Sequence, residues 1–331
     1  MVWIKFRIAL ADLVRMVNEK QSPLAAGVYA ALATPRRPGS VDADAASLLD
    51  YLDLVVRAGV DGLVLFGSSG EFIHYDVTER MRVVILAIRR SRVPVLVNVS
   101  HSSLCGAVDL AENAAKAGAS GVLLMPPYFY QYPEDQIFHF YERFVEQVGG
   151  RIPVYVYNVP SFTNPISAGL AERLLRTGMF AGIKDSSCDW SFFEALSKLQ
   201  GQVRFQLLTG CDELYLRARA AGAHGIVSGI AGAIPELLVA LENALRSGDA
   251  ERANHLNARL NEFVTFVNKF PATVAIKQAA VARGWKLNQL AVPFDEDMSA
   301  DVIAFHHWVR DWLLAVLSES TDPDWARSSQ A

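Results

Sequence analysis

The sequence is poor in cysteine and histidine and has no long apolar run. Only Cys105, Cys188 and Cys211 occur in 331 residues, and no two are spaced as CxxC. An odd count without paired spacing argues against a disulfide framework and points to a reducing, cytoplasmic setting. The seven histidines contain no HExxH pattern. His306 and His307 are adjacent, and adjacent residues on a helix point in different directions, so no metal site is expected. No segment reaches the ~20 apolar residues that cross a bilayer, which excludes a membrane span. No long block of like charge is present either. The net charge is −4 with acidic and basic residues interspersed, and without a basic stripe nucleic acid is not an expected partner. The amino-terminal stretch MVWIKFRIALADLVRMV is interrupted by Lys5, Arg7, Asp12 and Arg15. That excludes the apolar core of a signal peptide and reads as a short amphipathic helix.

What is present is an alternation of short apolar runs with longer amphipathic stretches. Candidate strands start at Gly27 (GVYAALA), Gly62 (GLVLFG), Val95 (VLVNVS), Gly121 (GVLLMP), Pro153 (PVYVYN), Phe180 (FAGIK), Arg204 (RFQLLTG) and Gly225 (GIVSG). Each is apolar almost throughout, as in parallel strands buried on both faces. Helical stretches fall between them: 43–58, 78–90 with a cap near Thr78, 109–117, 134–148, 167–176, 191–199, 213–221 and 235–246. Gly59, Gly118, Gly149 and Gly222 sit where helices should stop, as left-handed caps require. Eight strand–helix repeats predict a (β/α)8 TIM barrel, although a doubly wound sheet shares the alternation. The expected organisation is an amino-terminal helical extension (1–26), the barrel (27–247), a carboxy-terminal helical extension (248–318) and a loose tail (319–331). The extension holds helical segments at 251–270, 271–283 and 301–317.

In such a barrel, catalytic groups stand at the carboxyl ends of strands. Of eight lysines, Lys184 alone closes an apolar strand. An amine held away from water is more readily neutral, and a neutral amine attacks ketones; alternatively Lys184 is ion-paired with Asp185 or another carboxylate. Tyr157 ends the neighbouring strand, either as a proton relay or as a packed aromatic. Gly67-Ser68-Ser69-Gly70 offers hydroxyls and N–H groups to a carboxylate or phosphate, or is an ordinary βα turn. Asp212 and Glu213 either bind substrate hydroxyls or sit in a helix first turn, where acidic residues are favoured. Ser186, Gly210, Val227 and Ser228 complete the strand-end substrate-binding candidates.

Taken in order, GVYAALATP, GVDGLVLFGSSGEF, PPYFYQYPEDQ, IPVYVYNVPSFT, GIKDSS, LTGCDE and GAHGIVSGIAGAIPE resemble the dihydrodipicolinate synthase/N-acetylneuraminate lyase family of class I aldolases. The resemblance spans nearly the whole chain from Gly27. It implies that Lys184 forms an imine with a 2-oxo acid, that Tyr157 shuttles protons, and that Ser68 and Ser69 bind the keto-acid carboxylate. It implies that Ser186, Gly210, Asp212 and Glu213 contact a polyhydroxy tail. No metal or organic cofactor is implied, since the covalent imine is the electron sink. A homotetramer is implied as well.

Two positions depart from the family pattern. The biosynthetic synthases carry an arginine after YNVP, where this chain has Phe162, and a phenyl ring makes no bidentate carboxylate contact. A relay tyrosine from a neighbouring subunit aligns with Phe129, flanked by Tyr128 and Tyr130 as substitutes. The expected activity is therefore cleavage or formation of a C–C bond between pyruvate and an aldehyde, on a 2-keto-3-deoxy sugar acid or related 4-hydroxy-2-oxo acid. The alternatives are an imine-dependent sugar-acid dehydratase, dihydrodipicolinate synthase itself, and a catalytically silent binding barrel.

Overall fold

The computed structural model describes residues 24–271, 273–287, 289–293 and 295–321. The body of the expected amino-terminal helix, 1–23, lies outside them. Eight parallel strands close into a barrel in chain order. They are β1 Gly27–Ala31, β2 Gly62–Leu65, β3 Val95–Asn98, β4 Gly121–Leu124, β5 Val154–Asn158, β6 Gly182–Asp185, β7 Gln206–Thr209 and β8 Gly225–Ser228. Each falls within an expected apolar run except β6, which extends one residue beyond it to Asp185. Every strand residue is buried, which is why the runs do not alternate with polar residues.

The helices between and after them are α1 Ala45–Arg57, α2 Val77–Arg90, α3 Leu104–Ala117, α4 Glu134–Val148, α5 Ala168–Arg176, α6 Trp190–Leu199, α7 Tyr215–Ala220, α8 Ile230–Ala233, α9 Pro235–Ser247, α10 Ala250–Val267, α11 Val274–Ala282 and α12 Glu296–Thr321. The architecture is thus the expected TIM barrel with carboxy-terminal helices. Among the described residues no helix is long and apolar enough to cross a membrane.

Differences from expectation have local causes. The cap of α2 is Asp76, which accepts from the Glu79 amide at 2.7 Å, not Thr78. Helix α3 starts five residues before Asp109, because Ser103 accepts from the Gly106 amide. A Cβ at Gly106, within this first turn, would lie 2.7 Å from the His101 ring. Helix α12 runs through Glu319 to Thr321 because Glu319 bonds to Arg259 and His255. The remainder of the expected tail, 322–331, lies outside the described residues.

The chain forms two compact units. The first holds residues 94–226 together with 24–26. Within it, β5 and β6 pair with Tyr157 opposite Lys184 and Asn158 opposite Asp185. Gln206, buried in β7, accepts from the Leu24 amide (3.0 Å) and the Tyr155 hydroxyl (2.5 Å) and donates to the Leu24 carbonyl (2.9 Å). The second unit holds residues 27–93 and 227–321. Its helical end is held by stacked rings, Phe263 on Trp312 and Phe266 on Trp308.

His224 makes the first unit acid-sensitive. Its Nδ1 accepts from the Leu207 amide at 3.1 Å, so that nitrogen carries no proton in the fold. Burial lowers the imidazole's pKa below its ordinary value. The unfolded chain therefore takes up the proton first as pH falls. The stabilisation is complete above about pH 6.5 and is lost as pH drops toward the lowered folded value. Urea titrations across this window should show the midpoint falling with pH in the wild type. His224→Gln, which keeps an acceptor without a proton to gain, should flatten that slope; an unchanged slope would contradict this role.

Candidate active site

The first unit carries the lysine. Side chains alternate across a strand, so Lys184 and Asp185 leave β6 on opposite faces. Lys184 is 4% exposed, and its Nζ lies 4.0 Å from the centroid of the Tyr157 ring. A ring face carries partial negative charge and favours a cation placed over it. Asp185 does not pair with Lys184. Its carboxylate accepts from Asn158 Nδ2 (2.9 Å), the Ser187 hydroxyl (2.9 Å) and the Ser187 amide (3.1 Å). Burial raises its pKa, and those donors oppose the rise. Asn158 also accepts from the Ile166 amide at 3.2 Å. Asn158 and Asp185 thus tie the ends of β5 and β6 together. Sequence reasoning passed over this pair, although two polar residues ending apolar runs were a visible signal.

Gly210 presses on the lysine. A Cβ at this position would lie 1.9 Å from Ser186 Oγ and 2.6 Å from Lys184 Cε. Glycine is required here for close approach. The Gly210 amide donates to the Asp185 carbonyl at 2.6 Å. Lys184, Tyr157, Ser186 and Gly210 are therefore brought together.

The next residue overturns an expectation. Cys211 forms a disulfide with Cys188 (Cα–Cα 5.4 Å), and only Cys105 is free. The pairing was invisible in sequence because residues far apart in the chain meet only when β6 and β7 lie side by side. The inference of a reducing, cytoplasmic compartment loses its basis with it. Asp212 and Glu213 follow in a short 3-10 turn, Asp212–Leu214, with Asp212 half-buried and Glu213 exposed.

The loop after β4 holds Tyr128, Phe129 and Tyr130. Phe129 has a φ of 85° and is 86% exposed. Its ring meets Tyr130 edge-on at 4.9 Å. Asn164 donates to the Pro127 carbonyl (2.6 Å) and the Tyr130 carbonyl (2.8 Å), and accepts from the Tyr132 amide (2.8 Å). That bonding ties this loop to the one bearing Phe162, which is also exposed.

The second unit carries the serine turn. Phe66 and Glu71, which bracket Gly67–Gly70, both have positive φ, 55° and 53°. Gly70 is packed so closely that a Cβ would lie 2.9 Å from Phe66 Cα. Non-glycine residues persist in such conformations only where surroundings over-determine them, and they concentrate at functional sites. Here Glu71 is fixed by the fully buried Lys277 and by Thr273 (3.1 Å). Burial lowers the pKa of Lys277, and Glu71 opposes this. The pair was missed in sequence because α11 lies some two hundred residues from the turn. Ser68 and Ser69 are half-buried, and Ser69 Oγ lies 2.5 Å from where a Gly229 Cβ would be. Val227 and Ser228 are buried in β8, and Ser228 Oγ accepts from the Ala231 amide at 3.1 Å.

A family model described as "Dihydrodipicolinate synthetase family" matches residues 24–302. An uncharacterised DapA-like lyase of Halobacterium salinarum is 33% identical over 268 residues, covering 79% of this chain and 86% of that one. A 4-hydroxy-tetrahydrodipicolinate synthase of Nitrobacter hamburgensis is 33% identical over 254 residues, covering 76% of this chain and 84% of the relative. Among solved structures, YagE of E. coli K12 is a prophage protein of the dihydrodipicolinic acid synthase family, determined in complex with pyruvate. It superposes with a TM-score of 0.79 at 25% identity, covering 88% of this chain and 98% of that one.

The contact at Gly210 yields a direct test. Gly210→Ala forces Ser186 and the Lys184 side chain aside while leaving the barrel intact. A displacement of ~1 Å at reacting groups costs up to roughly 100-fold in rate. Deuterium exchange into the pyruvate methyl group, followed by NMR, should fall by that order with an unchanged far-UV circular dichroism spectrum. Exchange at the wild-type rate would contradict the assignment of Gly210.

Proposed function

Because the chain belongs to the dihydrodipicolinate synthetase family and is thereby a lyase, we propose that it cleaves a 2-keto-3-deoxy sugar acid, or a related 4-hydroxy-2-oxo acid, into pyruvate and an aldehyde through an imine on Lys184. The observation that carries this reading is the buried amine of Lys184 over the Tyr157 ring.

The reaction runs as follows. Neutral Lys184 attacks the C2 ketone, and the carbinolamine loses water to give a protonated imine. Positive charge then rests on the atom that the Tyr157 ring face favours. The imine withdraws electrons from the C3–C4 bond. A base, assigned to Tyr157 or a nearby water, takes the C4 hydroxyl proton. The C3–C4 bond breaks, releasing the aldehyde and leaving an enamine. Protonation at C3 and hydrolysis of the imine release pyruvate and restore the amine. Ser68 and Ser69 are assigned to the substrate carboxylate by family likeness, as hydroxyls in a turn rich in N–H groups. Tyr128 or Tyr130 is assigned to the relay in place of Phe129. Ser186, Gly210, Asp212, Glu213, Val227 and Ser228 are assigned to substrate binding, and a homotetramer is the expected assembly. No metal or organic cofactor enters these steps, because the imine supplies the electron sink.

Phe162 argues against the biosynthetic synthase reaction. Its exposed ring stands where an arginine would receive a second carboxylate, and it offers no donor. The acidic Asp212 and Glu213 suit a hydroxylated tail instead.

A panel of 2-keto-3-deoxy acids, assayed for pyruvate release with lactate dehydrogenase and for aldehyde by mass spectrometry, tests the reading. Stoichiometric pyruvate and aldehyde are expected from at least one acid. Loss of water without an aldehyde would make the protein a dehydratase. Reaction only with aromatic aldehyde–pyruvate adducts would overturn the sugar-acid assignment.

A further inference from the structure

The Cys188–Cys211 bridge joins the two strand-end loops that the proposed function assigns to the substrate's tail. Lys184 and Ser186 precede Cys188, and Gly210 precedes Cys211, with Asp212 following it. The strand-side portions of both loops are secured without the bridge. Asp185 is held by Asn158 and Ser187, the Gly210 amide by the Asp185 carbonyl, and the Cys211 amide by Thr209 Oγ1 at 3.2 Å. Beyond these bonds the segments differ. Cys188 is exposed and sits at a φ of 56°, a backbone conformation that side-chain-bearing residues adopt only when held there. Asp189, the next residue, caps α6 by accepting from the Ser191 amide at 2.8 Å. The bridge therefore spans between the start of α6 and the turn carrying Asp212.

We infer that the Cys188–Cys211 disulfide is a specificity-determining clamp. Oxidised, it fixes the wall formed by Ser186 and the Asp212–Glu213 turn against the hydroxylated tail. Reduced, it leaves Lys184 able to form the imine with pyruvate but loosens recognition of the tail. This inference rests on the sugar-acid reading above. Cys188 is an exposed residue and so the more accessible end of the bridge, whereas Cys211 is buried. A dithiol reductant supplies the chemistry. Its first thiolate attacks Cys188 Sγ and expels Cys211 Sγ. Its second thiol then displaces Cys188 and closes the reductant's own disulfide. Two electrons and two protons pass to the cysteines.

The test compares oxidised wild type, wild type reduced with dithiothreitol, reduced wild type reoxidised, and the Cys188→Ser/Cys211→Ser double variant. Thiol state is verified by alkylation and mass spectrometry. Two readouts are taken on each: deuterium exchange into the pyruvate methyl group, and KM for the 2-keto-3-deoxy acid turned over best in the panel. Methyl exchange should be the same in all four samples. KM should rise roughly ten-fold on reduction and in the double variant. Reoxidation should restore it in the wild type. Verified reduction with unchanged KM overturns the clamp, as does loss of methyl exchange in step with KM, which would make the bridge a support of the lysine itself. If the double variant does not fold, the reduced and reoxidised wild type decide the matter. No methyl exchange in any sample overturns the imine reading rather than the clamp. Exchange without cleavage of any acid overturns the sugar-acid reading and the clamp with it.

Discussion

A lysine side chain only 4% exposed must have its amine either paired, neutral, or stabilised by something other than a carboxylate. In this protein the Tyr157 ring, 4.0 Å away, takes that part. The neighbouring carboxylate of Asp185 is turned to the opposite face and occupied by Asn158 and Ser187. Among the described residues no carboxylate is paired with this amine. In the proposed mechanism the same ring face would also favour a positive imine at that atom. The barrel provides this geometry through register alone. Pairing Tyr157 opposite Lys184 across β5 and β6 sets both side chains on one face, and Gly210 leaves the room the lysine needs.

The serine turn is organised on a different principle. Its left-handed Phe66 and Glu71 are held by the contact of Glu71 with Lys277 and Thr273. A buried ion pair contributes little net stability, but it defines a geometry because either partner alone is costly to bury. Helix α11 thus does more than cover the barrel. Its lysine fixes the shape of the turn that carries Ser68 and Ser69.

Most of the barrel was legible in sequence because burial on both faces leaves an apolar run wherever a strand must lie, and each of the eight runs became a strand. The glycines at 59, 118, 149 and 222 marked helix ends correctly, and all four have positive φ. The buried place of Lys184 near the end of β6 was legible because a charged residue ending an apolar run is conspicuous. What sequence did not show depends on contacts between distant segments. The disulfide needs β6 beside β7, and the Glu71–Lys277 pair needs α11 beside the turn. Whether Lys184 pairs with Asp185 was likewise not legible, because it depends on Asn158 and Ser187 occupying that carboxylate.

The most direct test is to incubate the protein with pyruvate, reduce with borohydride, and map the product by peptide mass spectrometry. A reduced pyruvyl adduct on Lys184, absent from Lys277 and the surface lysines, is the predicted result. No adduct with pyruvate or longer 2-oxo acids, or an adduct on any other lysine, would contradict the assignment of Lys184 as the imine-forming residue.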